Sequence, residues 1–308
     1  LQLFSAYMVF FCLISFVFHL MIDMKYSGLT YLIAFVLAIA IVIYQYSVYG
    51  TWLSPYLLIP VILGVTGYTL GPQIDWWFYK RFPPKLDDKV KRIFEINSEF
   101  YRNLPPEKKE LFDTRVCLYI EDKDWQYVSM DEEMPYDIRA IIAFEPVRLT
   151  INLENFLMRP FDRIAVYQNP FLSPFYPDRY HGSELYSEDG IVLFSLKHII
   201  PAFRQPLEYF NVVLYEYARI MIATYKNLDF PKLDDHFWYD LYKVANYGHR
   251  EIMGAIGLPD VDALSVAIHH YFVYGQYFRT IYPELCIQLD MIFESDKNFG
   301  QLALTNNL

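Results

Sequence analysis

The chain has 308 residues, 54% hydrophobic and 19% aromatic, with a formal net charge of −10. It is more apolar than an average soluble domain, and its acidic balance excludes sequence-independent nucleic-acid binding, which needs clustered cations to displace counterions from phosphates. Cys12, Cys117 and Cys286 are an odd number at wide spacings, neither a disulfide framework nor a thiolate zinc site, and they fit a reducing compartment.

The apolar excess is concentrated at one end. Between residues 1 and 79 only Asp23, Lys25 and Asp75 are charged, and the other 25 basic and 34 acidic residues lie from Lys80 onward, a net charge of −9. Three apolar runs occupy this first part: residues 3–22, 29–48 and 52–70. A bilayer core of about 30 Å needs about 20 helical residues, which the first two runs supply. The third is interrupted by Pro55, Pro60, Gly64 and Gly67 and reads either as a further span or as a re-entrant segment. Trp76, Trp77, Phe78 and Tyr79 form an aromatic belt at its exit, and Lys80, Arg81, Lys85, Lys89, Lys91 and Arg92 follow. That basic cluster predicts a multi-pass chain with the large domain in the cytoplasm and the chargeless 49–51 turn outside. No basic leader or A-x-A site marks the first run as a signal peptide. Residues 1–79 are therefore expected to be a membrane region with two to three transmembrane helices, and residues 80–308 a cytoplasmic domain.

Beyond Lys80 the patterning predicts amphipathic helices over 86–103 and 105–122, the second opened by Pro105-Pro106-Glu107. A helix over 137–149 has an apolar face at Ile138, Ile141, Ile142 and Phe144. Two β-rich runs at 163–167 and 190–195 flank a loop over 169–189 rich in Pro, Tyr and Asp, and four helices follow over 207–225, 236–256, 261–278 and 283–294. The fold class is α+β, mostly helical with a small sheet. The aromatics between Phe161 and Tyr186 make that loop a candidate docking surface, though a loop packed on its own domain reads equally well. Ser195 and His198 lack a nucleophile elbow, and the acidic run 130–134 reads as a solvated turn.

The segment from Asn211 to Arg219, N-V-V-L-Y-E-Y-A-R, has the pattern of a zinc-peptidase helix without its zinc ligands. In an H-E-x-x-H helix two histidines one turn apart hold Zn²⁺, and the glutamate between them activates water. Glu216 is in place, but Tyr215 and Arg219 stand at the ligand positions. An arginine cannot lose its proton to offer a lone pair, and a tyrosine with a pKa of about 10 needs a strong driving force to do so. Arg219, three residues on, can instead pair with Glu216, and at four residues from Tyr215 it can lie over the ring.

Extended to Ile222, N-V-V-L-Y-E-Y-A-R-I-M-I resembles the zinc helix N-V-V-L-H-E-F-A-H-x-L-D of the M90 family of zincin-type peptidases, the MtfA-like group. The strand R-I-A-V-Y-Q-N-P from Arg163 and the strand-to-helix entry G-I-V-L-F-S from Gly190 are similar to that family's upstream elements. D-A-L-S-V-A-I-H-H-Y-F from Asp262 is similar to its downstream E-F-F-A-V-x-S-E-x-F-F. The resemblance covers residues 86–293 and implies a zincin-like domain in a bacterial inner membrane. The residue matching the family's later glutamate ligand is His269, and its helix aspartate is matched by Ile222. His181, His198, His236, His249 and His270 are further histidines, but His270 is turned about 100° from His269, so the two do not face one centre.

The resemblance and its departures together imply a catalytically inactive pseudopeptidase, with no catalytic residue, no cofactor and no metal expected at the Tyr215, Glu216, Arg219 and His269 positions. Its expected partners are the lipid bilayer, other subunits of a larger membrane complex and a peptide or protein held in the old cleft, with no nucleic acid. The alternative is an active membrane-bound metallopeptidase that binds zinc through Tyr215, His269 and another histidine, with Glu216 as general base.

Overall fold

The computed structural model describes residues 26–52, 54–245 and 247–294, so the apolar run at 3–22 lies outside the described residues. The chain divides into two compact units, Leu1–Pro83 and Pro84–Leu308.

In the first unit, helix α1 (Ser27–Tyr49) is followed by a 3-10 turn at Pro55–Leu57 and helix α2 (Leu58–Arg81). Both are long and apolar enough to cross a membrane, with mean hydropathies of 2.3 and, counting the turn, 1.5. The second helix starts later and ends later than the 52–70 run. Ser54 Oγ accepts from Tyr56 N (3.3 Å) and turns the chain at Pro55, which delays the start. The far end extends because Asp75, a charge beyond the apolar run, has partners within the unit. Its carboxylate accepts Ser27 N (2.6 Å) and Ser27 Oγ (2.9 Å), placing an anion at the positive end of α1. Gly67, Gly71 and Asp75 recur every four residues and so share one face of α2. A Cβ on Gly67 would overlap Thr30 Oγ1, and one on Gly71 would touch the Ser27 side chain. The two helices thus approach through small residues, as in membrane helix pairs. Tyr26 stacks on Phe78 (4.8 Å) at one end and Tyr46 on Trp52 (4.1 Å) at the other.

The second unit is mostly helical with a small sheet. It begins with α3 (Asp88–Asn97) and α4 (Glu99–Asn103), where one helix is predicted. Ser98 breaks the run because its hydroxyl caps the second piece, accepting Tyr101 N (3.2 Å). Next come α5 (Pro106–Asp122), the short strand β1 (Asp124–Tyr127), which periodicity did not reveal, and α6 (Tyr136–Leu149). From Ala140 to Val147 every residue of α6 is buried, so this helix runs through the core and does not present one apolar face to it. Phe144 meets Phe94 (4.9 Å) and Phe112 (5.0 Å) edge-on, and each such buried ring contributes about 1.5–3 kcal/mol.

The sheet has the order β1-β2-β6-β5, with β2 (Arg163–Tyr167) parallel to both β1 and β6 (Ile191–Ser195), and β5 (Ser183–Tyr186) antiparallel at the edge. The 169–189 stretch is therefore not simply loop. It also contains β3 (Phe171–Leu172) and β4 (Tyr180–His181), paired antiparallel. These two- and four-residue strands owe their structure to partners across the sheet, which local alternation cannot show. After β6 come α7 (Leu196–Arg204) and α8 (Val212–Thr224). The predicted 207–225 helix begins only at Val212, because the Asn211 side chain caps it by accepting Leu214 N (3.0 Å). The predicted 236–256 helix is two, α9 (His236–Ala245) and α10 (His249–Ile256), and α11 (Ala263–Ile281) and α12 (Pro283–Phe293) complete the unit. Gly257 ends α10 at φ +90°, and a Cβ there would overlap the Tyr180 carbonyl. Glycine thus lets α10 and β4 touch backbone to backbone.

Candidate functional site

Helix α8 packs against α6, α7 and α11 and against β5 and β6 of the sheet. From Val212 to Met221 all its residues are buried except Arg219. Three of the four sequence-predicted site residues lie on it and the fourth, His269, lies on α11.

Glu216 is fully buried and both its oxygens are engaged. Ser183 Oγ, from the edge strand β5, donates to Oε1 (2.8 Å), and Arg219 Nη1 donates to Oε2 (2.8 Å). Arg219 also lies over the Tyr215 ring, 5.8 Å from its centre. The i, i+3 and i, i+4 relations read from the sequence are thus realised side by side. Burial pushes the Glu216 carboxyl above its ordinary range, while Arg219 and Ser183 pull the other way. For Arg219 burial is the largest influence and favours loss of the proton, but Glu216 and Tyr215 outweigh it and hold the guanidinium charged.

Tyr215 is buried, with its hydroxyl oxygen accepting Asp262 N at the start of α11 (3.1 Å). Burial, reinforced by the neighbouring Glu216, raises its pKa above that of a free phenol. The tyrosinate needed for metal ligation is therefore harder to form here than in water.

His269 is also engaged. Its Nε2 accepts Asn211 N (3.0 Å), and its ring stacks on Phe210 at 4.2 Å. Phe210 in turn touches Tyr215 at 5.7 Å, so an apolar ring rests against both Tyr215 and His269. With Nε2 accepting, neutral His269 carries its proton on Nδ1. That atom is 3.4 Å from His270 Nδ1, which donates to Val266 O at 2.8 Å. Both Nδ1 atoms are thus protonated, and their approach is a contact without a hydrogen bond. The two rings meet inside the core with 5.0 Å between their centres, while their hydrogen bonds run to different partners, Asn211 N and Val266 O. Burial, then the neighbouring His270 and Arg148, lower the His269 pKa well below its usual value, and burial lowers that of His270 to about 4.

A second polar group joins this one through Asn211. Its Nδ2 donates to Glu145 Oε1 (2.8 Å), and Arg148 reaches Glu145 Oε2 (3.4 Å) and the Phe272 carbonyl (2.7 Å). Burial raises the Glu145 pKa, with Arg148 and Asn211 opposing. Glu145 and Ser183 were missed by sequence reasoning. The only signal for Glu145 was a charge inside the otherwise apolar run Ala140–Val147, and nothing in the local pattern pointed to Ser183.

The other histidines lie on other elements, with the His198 ring against Gly182 beside Ser183. His181 lies on β4, His198 on α7, and His236 and His249 open α9 and α10. Among the described residues no group of three His, Cys, Asp or Glu side chains is arranged to hold a metal ion. Chemically, the α8 site is a buried carboxylate ion-paired with a guanidinium and hydrogen-bonded by a hydroxyl, with the Tyr215 ring beside the guanidinium. No family model matches this chain, and no curated protein is significantly similar to it.

Proposed function

We propose that the chain is a membrane-tethered, zincin-like pseudopeptidase that acts by binding, as an accessory or scaffold subunit of a membrane complex at the bacterial inner membrane, with its large unit in the cytoplasm. The observation that supports this most is the full burial of Glu216 with both oxygens held by this chain's own groups. A general base must reach the water it activates, yet here the carboxylate has no solvent exposure, one oxygen accepting from Ser183 and the other from Arg219. Arginine at the second ligand position supplies fixed positive charge where the resembled family places a metal, so the buried carboxylate keeps a counter-charge without zinc. The antiparallel edge strand β5 beside this helix is the kind of edge along which an extended peptide can be held.

The test is elemental analysis of untagged protein purified in detergent without added metal, together with casein hydrolysis and polarisation of a fluorescent unfolded peptide. The expected result is zinc below about a tenth of an equivalent, no cleavage and saturable peptide binding. One equivalent of zinc with cleavage abolished by Glu216→Gln would establish the metallopeptidase instead.

A further inference from the structure

The strongest charge asymmetry in the molecule lies just after the second apolar helix. Residues 80–92 carry six cations and two carboxylates, a net +4, while residues 93–308 carry 19 basic and 32 acidic side chains, a net −13. Within the positive stretch, α3 buries Val90 and Phe94 against its own unit. Lys91 is drawn to Asp113 (3.1 Å), and Glu95 is paired with Lys109 (2.7 Å). Lys89, Arg92 and Ile96, at i, i+3 and i+7, form an outward stripe. Among the described residues no carboxylate pairs with Lys85, Lys89 or Arg92. Arg102 adds a further cation at the end of this stripe, its Nη1 donating to the carbonyls of Glu95 (2.8 Å) and Ile96 (3.1 Å). In the middle of these cations Ile96 is 76% exposed. A large exposed aliphatic side chain between Arg92 and Arg102, with the exposed carboxylates Asp88 and Glu99 at the two ends of the stripe, has the composition of a surface that meets acidic headgroups and dips one apolar group below them.

The chain itself limits how far this helix can be from a bilayer. Helix α2 ends at Arg81 and α3 begins at Asp88. The intervening residues 82–87 span at most about 20 Å when fully extended. We propose that the Lys89–Arg92–Ile96 face of α3, flanked by Lys85 and Arg102, rests on the anionic phospholipid surface of the bilayer that α2 enters. This rests on the membrane-tether reading given above. Contact would couple the large unit to the acidic-lipid content of the membrane, and it would weaken as salt screens the headgroups.

The experiment uses the full chain in nanodiscs of phosphatidylcholine alone or with about 30% phosphatidylglycerol, a fraction sufficient for a strong negative surface potential. A bimane fluorophore at Ile96→Cys, in a Cys12→Ser background with Cys117 and Cys286 buried, reports quenching by lipids brominated in the acyl chain. Quenching at least about twofold greater in the anionic discs, reversed by about 0.5 M salt and lost in Lys89→Glu/Arg92→Glu, is the expected result. The salt reversal is read on the unreversed sequence, so the test does not depend on how the charge variant folds. Equal quenching in neutral discs, or quenching that survives salt and charge reversal, overturns the proposal. So does a shielded label that brominated lipid does not quench, which would indicate an acidic protein partner. A chain that does not enter discs at all overturns the tether reading together with this one, whereas a chain held in discs with a water-exposed label overturns this one alone.

Discussion

Arg219 and Glu216 form a 2.8 Å ion pair one turn apart on α8, the carboxylate fully buried and the guanidinium still in partial reach of solvent. Removing one partner of such a pair leaves an uncompensated charge. Arg219→Ala strands the Glu216 carboxylate in the core and is expected to destabilise the fold by about 2–3 kcal/mol, below the full cost of a wholly buried pair because Arg219 is partly solvated. Glu216→Gln leaves a guanidinium that can turn toward water and should cost only about 1 kcal/mol. Denaturant unfolding of both variants and of Glu216→Gln/Arg219→Ala measures the coupling. A double variant that loses the sum of the two single losses would show that the pair contributes nothing beyond its members.

The positions of Tyr215 and Arg219 also make a constructive prediction. One turn apart on a helix, they are where a zinc helix carries its histidines. Tyr215→His/Arg219→His with His269→Glu, which replaces the imidazole that accepts Asn211 N with a carboxylate, is expected to bind about one equivalent of zinc. Isothermal titration with zinc decides the matter. Should the triple variant bind no more zinc than the unaltered chain, the zincin-like alignment of α8 and α11 is wrong.

Much of this site was legible because it is local. The Glu216–Arg219 pair and the Tyr215–Arg219 contact follow from spacing along one helix, whereas the predicted 207–225 helix ran through the Asn211 cap. What stayed hidden depends on distant chain. Ser183 reaches Glu216 from a strand that exists only because β6 pairs with it, and Phe210 bridges Tyr215 and His269 by packing, which has no period to read. The same division holds for the fold. Long helices such as α5, α11 and α12 were visible within a few residues, while the breaks at Ser98 and Gly248 depended on capping that competed with helical periodicity.

In the first unit, two glycines on the same helix should behave in opposite ways. A Cβ at Gly67 would collide with Thr30 Oγ1, whereas one at Gly64 would meet nothing within 4 Å. Gly67→Ala is therefore expected to force α1 and α2 apart and cost about 1–3 kcal/mol, the range for overpacking a close contact. Gly64→Ala should be neutral or slightly stabilising through better helix propensity. Thermal stability in a common detergent compares them directly. Equal behaviour of the two variants would mean that the small-residue approach through Gly67 and Gly71 does not hold the helices together.

The histidine pair in the core predicts a pH dependence whose sign can be worked out. Burial holds His270 near a pKa of about 4 in the folded chain, against an ordinary value of 6.5. Between those values the unfolded chain binds a proton that the folded chain does not, so stability rises with pH. The contribution is complete above pH 6.5 and is lost as pH falls toward 4, about 3 kcal/mol over the full window. His269 acts in the same direction. Glu145 and Glu216 act against both, because their raised pKa values make the folded chain bind more protons than the unfolded one. The raw pH profile therefore mixes signs, and the His270 share must be taken as a difference. His270→Phe keeps an aromatic ring against Tyr274, which stacks on it at 5.3 Å, and removes the titration together with the Nδ1 hydrogen bond to Val266 O, whose loss is common to both pH values and cancels in the difference. Comparing unfolding free energies at pH 7 and pH 5, the variant is expected to lose less stability on acidification than the unaltered chain, by about 2 kcal/mol. Parallel losses in the two proteins would mean that His270 takes up its proton in the folded chain as readily as in the unfolded one.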